Sequence, residues 1–217
     1  MLFHPQDFFD LSVCEHKVLF ERSAVVWDAL KNLKEYLDGL PIPSSLPTIP
    51  KGVYLENSER IVIGQGVIIE PGAYIKGPCW IGEGSIIRHG AYVRDYALIG
   101  KRCVIGHATE IKHSILLDQA HAAHFNYVGD SILGNYVNLG AGSKCANLRF
   151  DKAAITVRWE GKTWETGLKK LGTILGDRSQ LGCNVVSNPG TVVLPNIVCA
   201  PCLNIGGMVT SSLTKKH

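Results

Sequence analysis

Residues 121 to 130 read His-Ala-Ala-His-Phe-Asn-Tyr-Val-Gly-Asp. Four groups able to move or hold protons fall close together here: His121, His124, Asn126 and Tyr127. A neutral imidazole near pH 7 is a suitable general base, and the amide and phenol can hold a polar ligand beside it. A lone histidine in a strand-rich chain is more often structural or solvated, so the weight rests on the grouping. A little further on, Leu139-Gly-Ala-Gly-Ser143 lets a ligand lie close to backbone whose N–H groups can hold it.

The element that must position this cluster is a repeat. From Ile63 the chain cuts into sixes: IGQGVI, IEPGAY, IKGPCW, IGEGSI, IRHGAY, VRDYAL, IGKRCV, IGHATE, IKHSIL and LDQAHA. Every lead is Ile, Val or Leu, the second place is often Gly, and the fifth is small or modest (Val67, Ala73, Cys79, Ser85, Ala91). A helix needs apolar residues at a 3.6 period, which this pattern does not give, and Gly and Pro at this density break helices. Period six fits short strands joined by tight turns. The aliphatic lead points inward and stacks on its equivalent in the next coil, and the small fifth residue fits a corner. No single unit can bury its apolar face, so stacking makes one continuous core. The cluster is expected at an interruption of the repeat beginning after Leu117. The sixes resume from Leu175 to Thr210, with Ser187 and Cys199 as non-aliphatic leads.

Flanking segments have other signatures. Leu19 to Leu40 carries Val26, Leu30, Leu33 and Leu37 at three- and four-residue steps, an amphipathic helix expected to end at Gly39 and to pack on the repeat, as a cap on the first coil, or on a neighbouring subunit. Residues 41–50 are a Pro-rich linker. This divides the chain into an N-terminal helical extension with its linker, 1–50, and a repeat domain, 51–217. Residues 149–172 leave the repeat, and their alternation around Glu160-Gly161 predicts a hairpin. Arg158, Lys162, Lys169 and Lys170 make it basic, with Trp159 and Trp164 as flat apolar surface, and a surface hairpin and a functional loop are about equal readings.

Composition bounds the rest. In 217 residues, 46% are hydrophobic and 19% charged, a globular composition able to bury a core. A net charge of +3, with scattered basic residues, argues against nucleic acid as partner. No apolar run is long enough for a membrane span and the first residues do not form a secretory signal. Seven dispersed cysteines then read as reduced thiols, and a cytoplasmic location is expected.

The hexapeptide pattern resembles the left-handed parallel β-helix, with three hexapeptides per triangular coil. Handedness comes from that resemblance alone, since the general rule for parallel crossovers favours right-handed. The string H-F-N-Y-V-G-D-S-I-L-G-N-Y-V-N-L-G-A-G-S-K-C-A-N resembles the acetyltransferase domain of the bifunctional enzyme that makes UDP-N-acetylglucosamine. The following NLR…TGLKKLG…ILGD is similar to the archaeal-type members. The resemblance covers roughly 63–210. It implies acetyl-CoA-dependent N-acetylation of glucosamine 1-phosphate by homotrimers with sites between adjacent prisms. By matching position, His124 is the general base, Arg88 and Lys112 hold the sugar phosphate, and Tyr127, Asn138 and Asn147 contact the sugar. Ala141 and Cys183 line the coenzyme channel. No metal is implied. Two positions depart from the pattern. The Tyr that follows the last Asn in bacterial members is Leu148, with Arg149 next, and Pro201 stands where a coenzyme-contacting residue with a backbone N–H is expected. Residues 1–62 are too few for the family's nucleotidyltransferase domain.

The fold class expected is therefore all-β, a left-handed parallel β-helix with an N-terminal helical extension and an inserted hairpin. Two rival functions stand beside the acetyltransferase. One is a non-catalytic trimeric scaffold or binding protein. The other is a zinc protein like the γ-class carbonic anhydrases, which needs three histidines across an interface and lacks the H-x4-H spacing here. Cys199 and Cys202, in C-A-P-C, read as packing rather than a redox or zinc pair, with Cys199 an inward lead.

Overall fold

Stacked leads build the molecule, and the computed structural model describes residues 3–41 and 46–214 of it. Ile75, Val93, Ile111, Val128, Cys145, Ser187 and Ile205 form one inward column, each paired in parallel with the next. Three such columns line three parallel sheets that wrap a triangular prism. The first face runs from Tyr54–Glu56 to Asn204–Ile205, the second from Ile61–Ile63 to Met208–Val209, and the third from Ile68–Ile69 to Val198–Cys199. The prism is a left-handed parallel β-helix. Its interior is a continuous file of Ile, Val, Leu, Ala and Cys. The non-aliphatic leads Ser187 and Cys199 also point inward and are buried. All seven cysteines are free.

The corners explain the fifth position of each hexapeptide. Ala73, Ala91, Ala97 and Ala120 are fully buried there, as are Ser85, Ser114, Ser131 and Ser143. Size is one requirement, and hydrogen bonding is a second. Ser85 Oγ donates to Gly100 O at 2.8 Å, and Ser143 Oγ to Gly182 O at 3.0 Å, so corner hydroxyls satisfy carbonyls that no ladder reaches. Many corners turn through a residue with positive φ, among them Tyr96, Arg102, His113, Phe125, Asp130 and Tyr136. Each such conformation costs on the order of 1 kcal/mol for a non-glycine residue, offset by the stacking it permits.

The expected interruption is relocated. Strands run unbroken through His121–His124 on the third face and Tyr127–Gly129 on the first. What changes is coil length. The inward column steps 18 residues from Val93 to Ile111 but 17 from Ile111 to Val128 and from Val128 to Cys145. Both shortenings fall at the corner between the first and second faces, around His113 and Asp130. Leu117, taken as an inward lead, lies one residue past it. Leu116 faces the prism interior, and Leu117 belongs to a second core outside.

That second core covers the second face. Leu98, Ile115, Ile132, Ile174 and Val192 point outward from it and meet Phe3, Phe8, Phe20, Trp27, Leu30 and Leu33. The predicted helix is two, Lys17–Glu21 and Asp28–Asp38, and they lie along the side of the prism, not over its first coil. Gly39 ends the longer helix as expected, its N–H bonded back to Glu35 O and Tyr36 O. The hairpin forms as Thr156–Trp159 and Lys162–Glu165, turning through Glu160 and Gly161, both at positive φ. It joins the same core through Val157, and Trp164 packs on Phe3 at 5.3 Å between ring centroids. Within the linker, residues 42–45 lie outside the described part. No helix among the described residues is long and apolar enough to cross a membrane.

Candidate active site

With the second face sealed, the exposed corner lies between the third and first faces, and His124 stands on it. One residue per coil occupies this ridge. Backbone bonds connect His89, His107, His124, Ala141 and Cys183 in ascending order: Ala108 N to His89 O, Phe125 N to His107 O, Gly142 N to His124 O and Asn184 N to Ala141 O. His107 sits directly below His124 in register. Above His124 the ridge turns small, with Ala141, then Cys183, then the Pro201 coil, whose Cys202 N donates to Cys183 O at 2.8 Å. The His124 side chain is exposed, and its ring makes no hydrogen bond among the described residues.

The backbone under His124 is tightly held. Asn126 is buried at 3% exposure and clamps the corner. Its Oδ1 accepts from His124 N at 3.1 Å and its Nδ2 donates to Gly140 O at 2.8 Å. Asn126 is thus a structural strut rather than a group facing a ligand. Gly106, one coil below, has no room for a side chain, since a Cβ would overlap Ala123 O at 1.5 Å.

Candidate binding groups lie on both slopes of the ridge. On the third face Asn138 is in register with His121, both half-buried. Burial, then the nearby Arg88 charge, holds His121 below the usual histidine range. On the first face Tyr127 is half-buried between Glu110 and Lys144. Burial, then the charges of Glu110 and Asp130, pushes its phenol up, so it stays a hydrogen-bond donor. Tyr127 Oη and Asn147 Nδ2 share the space over Gly129, where a Cβ would lie 2.5 Å and 2.7 Å from them. At the shortened corner, Asp130 accepts from Lys112 Nζ at 2.8 Å, from His113 Nδ1 at 3.1 Å and from Asn147 Nδ2. Burial opposes ionisation of Asp130, but the bonds from His113 and Lys112 and the lysine charge outweigh it and hold its pKa below the usual carboxylate value.

The expected residues therefore form two groups. Lys112, Tyr127 and Asn147 share the first-face side. Arg88, Asn138 and His121 belong to the third-face side. Arg88 and Lys112 are not neighbours in one chain. The arginine next to Lys112 is Arg94, one coil below on the same face, bonded to Glu110 at 2.9 Å. Sequence reading missed Arg94. The coil period would have found it, because Arg94 stands 18 residues before Lys112. Asp130 closes the 121–130 stretch, and nothing local in the sequence marks it as a hub. Among the described residues no three His, Cys, Asp or Glu side chains are placed to hold a metal. A cavity of about 560 Å³ opens on the first face, lined by Leu148, Phe150, Val186 and Pro189, away from the His124 ridge.

A prism of stacked hexapeptides of this kind defines the hexapeptide-repeat class of proteins. Residues 75–201 match the GMPPB C-terminal domain family, and the chain belongs to it. It is 34% identical over 167 residues to the bifunctional sugar-1-phosphate nucleotidylyltransferase/acetyltransferase of Sulfurisphaera tokodaii, covering 77% of this chain and 41% of that protein. It is 41% identical over 96 residues to the bifunctional protein GlmU of Methanococcus maripaludis, covering 44% and 23%. It is also 34% identical over 171 residues to the putative uncharacterized acetyltransferase YaiX of Escherichia coli, covering 79% and 74%. The chain spans less than half the length of the two bifunctional relatives.

Proposed function

We propose that this chain is an acetyl-CoA-dependent N-acetyltransferase whose acceptor is an amino-sugar phosphate, glucosamine 1-phosphate first among them, with His124 as general base. The observation that carries the reading is the ridge: a solvent-facing imidazole on a locked corner, small residues in line above it, and polar groups on the slopes either side. The neutral amine attacks the thioester carbonyl. A C–N bond forms, the C–S bond breaks, CoA leaves as thiol or thiolate, and the amine proton passes to His124. The Ala141 N–H, which makes no hydrogen bond among the described residues, is suited to the developing oxyanion, whereas those of Gly140 and Gly142 are bonded to Leu181 O and His124 O. Arg88 and Lys112 hold the phosphate, Tyr127, Asn138 and Asn147 the sugar, and Ala141 and Cys183 flank the coenzyme.

The two slopes of one prism corner face away from each other, so one small ligand cannot touch both in a single chain. They converge only when the slope of one copy faces the other slope of a second. The cover on the second face leaves the first and third for that contact. This supports a homotrimer with sites between prisms. The test is CoA release with glucosamine 1-phosphate and other amino sugars, with and without phosphate. Release with one acceptor supports the reading. Silence with every acceptor, together with no binding of acetyl-CoA, favours a trimeric scaffold.

A further inference from the structure

We propose that Asp130 is a positioning residue of the acceptor site, setting the amide of Asn147 with its carbonyl oxygen outward. The role presupposes the acetyl transfer proposed above. Asp130 is 5% exposed and sits in the positive-φ turn of the shortened corner. Its carboxylate has no lateral freedom, because Lys112 Nζ and His113 Nδ1 hold its two oxygens separately. Its backbone is fixed as well: Asp130 N donates to Lys112 O at 2.9 Å, and Gly172 N donates to Asp130 O at 2.8 Å. Gly172 is where the chain returns to the prism, and Asn147 is where it leaves, so Asp130 fastens both ends of the insertion. Asn147 O is in turn bonded by Leu171 N at 3.0 Å.

An ionised carboxylate only accepts hydrogen bonds. Asn147 must therefore turn its Nδ2 toward Asp130, which leaves Oδ1 as the free end of the amide. The Nδ2 end also lies beside the Tyr127 hydroxyl, over side-chain-free Gly129, and Oδ1 makes no hydrogen bond among the described residues. The amide then offers its oxygen as an acceptor to a sugar ring. Without the charge, either amide orientation fits.

Asp130→Asn isolates this effect. Its neutral carboxamide can either accept from Asn147 Nδ2 or donate to Asn147 Oδ1, so the amide orientation is no longer fixed, and His113 can present either tautomer to it. In the full-length protein, KM for the amino-sugar phosphate is expected to rise about tenfold, the worth of one hydrogen bond. The same estimate leaves kcat within roughly threefold and KM for acetyl-CoA unchanged. In an Asn147→Ala background Asp130→Asn should add nothing further, because the effect runs through the amide. Additive KM effects would overturn the assignment. A second readout needs no turnover. With selective ¹⁵N-asparagine labelling, one Asn147 side-chain amide proton should be shifted downfield in the wild type and not in Asp130→Asn. The same signal in both proteins would overturn it. Loss of the shift in a protein that transfers no acetyl group would sustain the orientation and remove the acetyl-transfer reading.

Discussion

At the residue scale, His124→Ala removes the imidazole proposed as the general base. Transfer should fall by about 10²–10⁴-fold with the thermal midpoint unchanged, since the side chain is exposed and its ring makes no hydrogen bond among the described residues. Gly129→Ala should raise the acceptor KM while leaving the acetyl-CoA KM alone, because its Cβ displaces the Tyr127 hydroxyl and the Asn147 amide together. Asp130 also gives a pH signature. Its pKa is lower folded than in the unfolded chain, where it is about 3.9. The stabilisation is therefore complete above that value and lost as pH falls through the folded value. Denaturant midpoints should show Asp130→Asn less stable by about 2 kcal/mol from pH 7 down to 5, with the gap closing below about pH 4. His124 and Tyr127 were legible because titratable groups crowd one short stretch. Asn126 has the same polarity but is a strut, and only its bonds to His124 N and Gly140 O reveal that. Arg94 and Asp130 depend on stacking, which places residues 17 or 18 apart side by side.

At the scale of elements, the hexapeptide rule located nine inward leads from Ile63 to Ile111 and the second series from Leu175 to Ile205. It failed at Leu117 because two corners each give up a residue, and a fixed period cannot absorb a deletion. The shortened corner is also where the insertion leaves the prism, so regularity is surrendered at one edge only, and Asp130 fastens it. The N-terminal helices were legible from their spacing, but their resting place was not. The outward residues of the second face, Leu98, Ile115, Ile132, Ile174 and Val192, form an apolar row at coil spacing that needs a cover. Trp27 lies at the centre of that cover at 2% exposure. Trp27→Ala should cost about 3–5 kcal/mol in unfolding free energy, with KM values unchanged, because the cover faces away from the ridge.

At the scale of the molecule, sealing one face of a three-sided prism decides which surfaces remain for a second copy. The exposed Tyr54, Tyr74 and Tyr92 on the first face and Ile68 and Val198 on the third are the surfaces left open. Light scattering should give three times the chain mass, and dilution that separates the copies should abolish transfer without unfolding the prism. Active monomers would refute a site shared between copies. The proposed activity is tested most directly by CoA release from acetyl-CoA with glucosamine 1-phosphate, run in parallel on the wild type and His124→Ala. The wild type should release CoA and the variant should stay near background. Equal release by both would contradict the role of His124, and none by either, with this acceptor or any other amino sugar, would contradict the transferase itself.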